Sequence, residues 1–340
     1  MTIKAKLYTE VPLEVASFRI DHSDSIFLLG SCFTENIGKR LAEFGFQTMM
    51  NPFGILYNPL SMAIAMSYCL DDKRIGEESL VFHDDLWHSW LHHGAFSRRD
   101  KQECLDACNH AISDAHQFLQ TCNTIIITFG SAWYYRLKCT HQRPADGKSA
   151  CELRGENKSM DPGGPMLRTH NSQFTTHDSQ FHTIVANCHK VPASNFEKRL
   201  ATVEEAVNAW TPLLERLLEK GVRIIFTVSP VRHQAYGAHG NQLGKAVLLL
   251  AIDQLNSQFT SHNSQLSEYN SQLAYFPAYE IVTDELRDYR FYADDMAHPS
   301  ALAEQIVWRR FQETFMNQET IDRCIDYEKM IRRNAHRPLH

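Results

Sequence analysis

Two short segments, far apart in the chain, carry the residue types of a nucleophilic active site. The first is Gly30–Ser31–Cys32–Phe33, in which two nucleophilic side chains follow an apolar run. The second contains Asp295 and His298, a carboxylate three residues before a histidine. A nucleophile, a histidine base and a carboxylate that orients the histidine are the members of a catalytic triad. The pattern therefore predicts covalent catalysis by the serine or the cysteine of the first segment, with the histidine as base.

The surroundings of Cys32 favour a reactive thiol but leave other interpretations open. A nucleophile at a strand-to-helix turn is exposed at the carboxyl edge of a parallel sheet, next to the positive end of a helix. That position and a nearby histidine both lower the pKa of a thiol. Alternatively, Cys32 is a buried structural residue and Ser31 reacts, or no covalent step occurs.

Strand and helix patterns alternate along the chain and predict the scaffold that positions these residues. Short apolar runs predict strands at Ser25–Leu29, Thr48–Met50, Thr124–Phe129, Val222–Val228 and Ala274–Phe276. Helical patterns cover Glu35–Phe44, Leu60–Leu70, Asp100–Leu119, Val203–Lys220, Ala301–Phe315 and a segment from Gln242 onward. This alternation predicts a mainly parallel sheet covered on both faces, which is a three-layer α/β/α domain.

Capping signals set the bounds of two helices. Thr202 and Glu205 form the pattern of a capping box, and Gly221 fits the C-terminal cap of the same helix. Pro299 fits the first turn of the last core helix. The Asp295 loop is therefore expected just ahead of a helix.

The composition is that of an ordinary globular protein. Of the 340 residues, 43% are hydrophobic and 22% are charged, and the formal net charge of −6 argues against general nucleic-acid binding. The segment from Met1 to Val15 has no apolar signal-peptide core, and no apolar run reaches membrane-spanning length. Nine cysteines without a C-x-x-C pair predict free thiols in a reducing compartment. We therefore expect a cytoplasmic protein that binds neither nucleic acid nor membrane.

Two polar segments interrupt the strand–helix pattern. Asn171–Gln180 and Asn256–Gln265 match at eight of ten positions. Their seven-residue unit is too short for a supersecondary repeat, which favours an in-frame insertion. Near the second copy an apolar residue recurs every seven positions, so an extended helix is the alternative to a polar surface loop there. We predict one α/β domain over residues 1–315, with insertions near 160–181 and 256–273, and a helical, basic tail over 316–340.

Four sequence blocks resemble the bacterial GSCFA family, which is named for a Gly-Ser-Cys-Phe-Ala motif. They are Gly30–Phe33, Asn51–Gly54, Phe129–Ala132 and Asp295–His298, and the resemblance covers most of the chain. The family is grouped with the GDSL/SGNH hydrolases. The resemblance therefore implies a flavodoxin-like, five-stranded sheet and an esterase-like activity, but it does not imply a substrate.

The blocks of that superfamily imply a role for each matching residue. The first block reads Gly-Asp-Ser-Leu with serine as nucleophile, so the resemblance places Cys32 in the nucleophile's position. Gly54 matches the second-block glycine, whose backbone N–H helps to form an oxyanion hole. The third block supplies an asparagine to that hole, but Ala132 stands in its place here. Ser131, Asn51 or a backbone amide are the candidates to replace it.

A cluster of histidines lies between the first block and the third. His88 and His92 are four residues apart, so a helix would place them on one face, as in metal sites. No H-E-x-x-H pattern accompanies them, and we predict that His88, His92 and His93 contact substrate or form a structural loop, with no metal. His189 and Arg232 lie near strand ends, where each either binds an anionic substrate or pairs with a surface carboxylate.

Three functions are compatible with these residues. The first is hydrolysis of an acyl ester, such as an acetyl group on a carbohydrate, and the second is acyl transfer from a thioester donor to a hydroxyl group. The third is non-catalytic ligand binding on the same fold. A small-molecule or carbohydrate acyl ester is the expected partner, and no cofactor is expected.

Overall fold

A computed structural model describes residues 9–138, 184–260 and 272–335. Its centre is a sheet of five parallel strands in the order β10–β9–β5–β1–β2. The strands are β1 (Ser25–Gly30), β2 (Gln47–Met50), β5 (Thr124–Phe129), β9 (Arg223–Val228) and β10 (Leu273–Phe276). Numbered along the chain within this sheet, the order is 5-4-3-1-2, which is the flavodoxin-like order. The predicted α/β/α fold with a five-stranded parallel sheet is confirmed.

The helices cover both faces of the sheet. They are α1 (Cys32–Glu43), α2 (Pro59–Asp71), α3 (Lys101–Thr121), α4 (Val203–Glu219), α5 (Gly237–Thr260), α6 (Ala301–Phe315) and α7 (Gln318–Ala335). Side chains of a strand point alternately to opposite faces, so β1 contributes Phe27 and Leu29 to one core and Ile26 and Leu28 to the other. The first core is completed by α2 to α5, and the second by α1, α6 and α7.

The predicted start of one helix and the predicted place of Pro299 are corrected by the structure. Helix α1 begins at Cys32 rather than Glu35, because Ser31 already adopts the extended backbone of an N-cap residue. Pro299 lies one residue before the N-cap of α6 rather than in its first turn, since Ser300 accepts a hydrogen bond from the Ala303 N–H. The capping box of Thr202 and Glu205 is confirmed.

Two small antiparallel sheets, which the sequence analysis did not predict, pack beside the parallel sheet. One is the hairpin of β3 (Leu80–His83) and β4 (Leu86–Ser89). The other joins β6 (Trp133–Leu137) to β7 (Ile184–Val185) and β8 (Phe196–Leu200). The hairpin turn places Asp84 and Asp85 at positive φ, which short polar side chains tolerate.

The predicted insertions fall largely outside the described residues. The first polar copy, Asn171–Gln180, lies outside them entirely, and so do residues 261–271 of the second. The described start of the second copy is the end of helix α5, and Phe259 within it is buried with Leu255. This part is therefore helical and contributes to the core, rather than forming a surface loop. Within the described ranges, no helix is long and apolar enough to cross a membrane.

Candidate active site

The turn after β1 requires glycine at its first position. Gly30 has a φ of +152°, and a Cβ atom there would collide with the carbonyl oxygen of Thr128 on the neighbouring strand. The Gly30 N–H donates a hydrogen bond of 2.8 Å to Oδ1 of Asn51, at the end of β2. The chain therefore turns tightly between two strand ends and delivers the next residues to the carboxyl edge of the sheet.

The structure brings Cys32 and His298 together at this edge. The Cys32 Sγ lies 3.7 Å from Nε2 of His298, within hydrogen-bonding range for sulfur. Ser31 points elsewhere, since it is 1% exposed and its hydroxyl has no hydrogen-bond partner among the described residues. Of the two predicted nucleophiles, only the cysteine contacts the histidine and is partly accessible.

Asp295 holds His298 through both carboxylate oxygens. Oδ2 lies 2.6 Å from Nδ1 of the imidazole, and Oδ1 accepts hydrogen bonds from the N–H groups of Ala297 and His298. Met296, at a φ of 57°, closes the tight turn that allows this arrangement. The backbone and imidazole donors lower the pKa of Asp295 to about 2, so this carboxylate is ionised at neutral pH. The tautomer that donates from Nδ1 leaves Nε2 as an acceptor facing the thiol.

The resting state of Cys32 differs from the expected one. Burial raises the pKa of its thiol, and the raising effect exceeds the lowering by the N–H groups of Phe33 and Cys32 at the start of α1. The thiol is therefore protonated at neutral pH, rather than a free thiolate. An arrangement of this kind requires a base to take the proton as the sulfur attacks, and Nε2 of His298 is in position to do so.

The candidate oxyanion donors differ in availability. The Gly54 N–H donates to the carbonyl of Asn51 at 2.7 Å, and the Ser131 N–H donates to the carbonyl of Tyr57 at 2.9 Å. The Ser131 hydroxyl accepts from the N–H of Trp133. In contrast, Nδ2 of Asn51 is buried without a hydrogen-bond partner among the described residues. Asn51 and the N–H groups at the start of α1 are thus the donors that this geometry leaves available.

The sequence model of the GSCFA family matches residues 25–152 and 171–311, which is most of the chain. The chain belongs to the GSCFA family. A search of curated proteins found no match. The family match includes every residue of the Cys32–His298–Asp295 constellation described above.

The histidine cluster of this GSCFA protein is not helical, and two of its three members are buried. His88 is in strand β4, where its ring bonds Ser97 Oγ and the carbonyl of His83. His92 is 0% exposed and stacks on Phe53 with the ring centroids 4.3 Å apart. His93 is exposed, but its ring accepts from the Ala95 N–H as a cap. The premise of a shared helix face is therefore wrong, and the buried positions of His88 and His92 fit the structural-loop interpretation. No group of metal-ligating side chains occurs in the part of the chain that the structure describes.

We expect His92 to make the protein sensitive to acid. Burial lowers its pKa to about 3, whereas an unfolded histidine has a pKa of about 6.5. Between these values the unfolded chain binds more protons, so the free energy of unfolding falls as the pH falls. Lowering the pH from 7 to 5 should cost about 2 kcal/mol through this residue. Urea unfolding at both pH values should show that His92→Phe removes this loss. His110→Phe, at an exposed histidine, serves as control. If the free energy of unfolding fell equally with pH in all three proteins, the assignment to His92 would be contradicted.

Arg232 lies beside the loop that carries Asp295 and His298, because its N–H donates to the carbonyl of Ala297. Its guanidinium covers the ring of Tyr292, 5.5 Å from the centroid, and bonds the Tyr292 hydroxyl. Together with Tyr289 and Met296, these two residues line a pocket of about 160 Å³. No carboxylate pairs with Arg232 within the described ranges, so Arg232 does not pair with a surface carboxylate there.

His189 lies with the histidine cluster, because it bonds the carbonyl of Ser89 and stacks on His88.

Three residues near the site were missed by the sequence analysis. Tyr57 accepts backbone hydrogen bonds from Gly130 and Ser131 through its carbonyl, and its ring packs edge-on to His233. Lys245 is buried in α5 and bonds two strand-end carbonyls. A single lysine among apolar helix positions was the available signal for Lys245. Tyr57 and His233 carry no comparable pattern.

Proposed function

We propose that this protein acts on acyl esters through a covalent thioester at Cys32. The observation that carries the proposal is the contact between Cys32 Sγ and a histidine that is itself held by an ionised aspartate. A nucleophile that contacts a base, which in turn contacts an orienting carboxylate, supports acyl chemistry. The Cys32 assignment also supports placing the fold with the GDSL/SGNH hydrolases, with cysteine where their serine stands.

The proposed reaction begins with proton transfer. His298 Nε2 takes the thiol proton while Sγ bonds to the ester carbonyl carbon, and the carbonyl π electrons move to oxygen. Asn51 Nδ2 and the N–H groups at the start of α1 stabilise this oxyanion. When the tetrahedral intermediate collapses, the carbon–oxygen bond to the leaving group breaks. His298 returns the proton to the leaving alcohol, and an acyl thioester remains on Cys32.

The second half of the reaction distinguishes hydrolysis from transfer. Attack by water on the thioester releases an acid, whereas attack by a hydroxyl group of an acceptor forms a new ester. In both cases His298 takes a proton from the attacking oxygen and returns it to the thiolate. Hydrolysis is the proposal, and transfer is the second candidate because a thiol nucleophile exchanges readily with thioester donors.

A row of aromatic rings supports a carbohydrate as the alcohol part of the ester substrate. Tyr57 packs against His233 at 5.3 Å, His233 lies 6.1 Å from Tyr236, and Tyr236 stacks on Trp133 at 5.3 Å. Burial raises the pKa of Tyr57, and the charge of a Cys32 thiolate acts in the same direction. The row therefore leads away from the nucleophile, and its rings offer apolar surfaces with polar edges, which suit a sugar ring.

The pocket at Arg232 supplies the test of this function. Phenyl acetate and 4-acetoxybenzoate are acetyl esters whose leaving groups differ by one carboxylate. Hydrolysis of both esters should require Cys32. Arg232→Gln should raise KM for 4-acetoxybenzoate about tenfold, because one charge-assisted hydrogen bond to its carboxylate is lost. The KM for phenyl acetate should stay nearly unchanged. Arg290→Gln is the matched control, since Arg290 is exposed and pairs with Asp288.

Analysis of the reaction products tests the two alternatives, acyl transfer and non-catalytic ligand binding. Formation of an acetylated alcohol from an acetyl thioester and a polyol, in preference to free acetate, would favour transfer. Binding of the esters without turnover of either would contradict the enzymatic proposal and leave ligand binding.

A further inference from the structure

Lys245 carries a buried amino group whose hydrogen-bond partners are two backbone carbonyls. Its side chain is 2% exposed, on the face of α5 that packs against the sheet. Nζ donates hydrogen bonds of 2.6 Å to the carbonyl oxygens of Gly130 and Ser229, at the ends of β5 and β9. Two bonds fix the ammonium group in place and leave one of its three N–H groups for another partner.

No carboxylate neutralises this ammonium group within the described residues. The ring of Tyr279 lies 5.7 Å from Nζ, and the titratable groups that interact with Lys245 electrostatically are the Cys32 thiol of α1 and His233 of the loop after β9. Burial lowers the pKa of Lys245 to about 7, and the Cys32 thiolate acts in the opposite direction. Burying an unpaired charge costs several kcal/mol, which is why the pKa falls, and a negative charge that forms nearby favours the protonated amine again.

One of the two carbonyl anchors of Lys245, Gly130, lies beside the residue that precedes Cys32. A Cβ atom on Gly130 would be 3.2 Å from Cβ of Ser31, the residue before Cys32. Gly130 also donates its N–H to the carbonyl of Tyr57, next to the active-site turn. The carbonyl that holds Lys245 therefore belongs to the segment that packs against the turn at Ser31.

We propose that Lys245 is an electrostatic partner of Cys32, whose fixed ammonium group stabilises the negative charge that develops at the sulfur and on the bound acyl group. This inference rests on the proposed function at Cys32. In this role Lys245 is a positioning residue that acts through Cys32, and it takes no proton from the substrate. It also ties the Gly130 turn to β9, which keeps the nucleophile's surroundings in place.

The ionisation of Cys32 tests this proposal without any substrate. Alkylation by iodoacetamide, followed peptide by peptide with mass spectrometry across pH 6–10, reports the thiolate fraction of Cys32. Lys245→Gln keeps amide donors for the two carbonyls but removes the charge, and Lys245→Met removes both. Because an amine with a pKa of about 7 is protonated at pH 6 and mostly neutral by pH 9, each variant should slow the alkylation of Cys32 about fivefold to tenfold between pH 6 and pH 7, and the difference should fade towards pH 10. Lys39→Met, an exposed lysine on the same helix as Cys32, should leave the titration unchanged.

A second measurement keeps the test decisive if the variants fold poorly. The measurement is the ratio of the alkylation rate with iodoacetate, which is anionic, to the rate with iodoacetamide, which is neutral. In the native protein a fixed cation should make this ratio higher at Cys32 than at Cys188, the other partly exposed thiol among the described cysteines. Unchanged alkylation of Cys32 between pH 6 and pH 7 in folded Lys245→Gln, or an equal reagent ratio at the two thiols, would overturn the role of Lys245. Neither result depends on ester turnover. An inactive protein with the predicted slowing would contradict the proposed function alone.

Discussion

Replacing Cys32 with alanine should abolish ester turnover, whereas Ser31→Ala should retain most of it. The reason is geometric, since Sγ of Cys32 is 3.7 Å from the His298 imidazole and the Ser31 hydroxyl is buried away from it. Loss of the nucleophile removes the covalent route, and the expected fall in kcat is at least about 10³-fold. Initial rates with phenyl acetate would measure it.

An acyl-enzyme trap provides the control for this prediction. Acid quenching during turnover should leave one acyl group on the peptide that contains Cys32, and none on that peptide in Cys32→Ala. Cys188→Ala is the matched thiol control and should behave as the native protein. Activity in Cys32→Ala together with an inactive Ser31→Ala would assign the chemistry to serine. Full activity in both variants would exclude a covalent step at this turn.

His298→Ala should reduce kcat by about 10²- to 10⁴-fold, and it should slow the alkylation of Cys32 near neutral pH. His298 is the proton acceptor that the protonated thiol requires, and proton transfer by a positioned base contributes a factor of this size. Because burial raises the pKa of Cys32, raising the pH should partly restore alkylation in the variant, since hydroxide then removes the proton.

Asp295→Asn tests the remaining member of the triad. The pKa of Asp295 is about 2, so the residue is charged throughout any usual assay range, and asparagine removes the charge with little change in shape. We expect a loss of at least about 10²-fold in kcat with KM nearly unchanged, because Asp295 acts through the orientation of His298. Asp294→Asn is the adjacent control. Equal effects of the two substitutions would argue against a specific role for Asp295.

The sequence predicted the scaffold well because its strands are apolar on both faces. Thr124–Phe129 and Ala301–Phe315 were predicted with the bounds that the structure has, since the strand is a short, largely apolar run and the helix has apolar residues at helical spacing. The antiparallel hairpins were missed, since their strands are short and partly exposed and lack a strong alternating pattern. The start of α1 was missed because its first turn carries cysteine, phenylalanine and threonine, which are weak helix formers.

The site was predictable only where chemistry and spacing coincide. Asp295 and His298 are three residues apart, so their mutual contact follows from local geometry. The availability of Asn51 depends on which donors the fold leaves unpaired, and local spacing does not encode that. The raised pKa of Cys32 likewise reflects desolvation by distant segments, whereas the helix start that opposes it is local. Burial therefore accounts for the part of the site that the sequence analysis misjudged.

The division of the interior into two cores has a consequence for how activity is lost. Cys32 and His298 belong to the layer of α1 and α6, whereas Lys245 comes from α5 in the opposite layer. The Cys32–His298–Asp295 constellation and its proposed partner Lys245 are therefore held from opposite sides of the sheet. We expect partial opening of either layer to separate Lys245 from Cys32 before the strands themselves come apart. Under mild denaturation, a fall in the proposed ester turnover is therefore the expected first sign that one layer has detached.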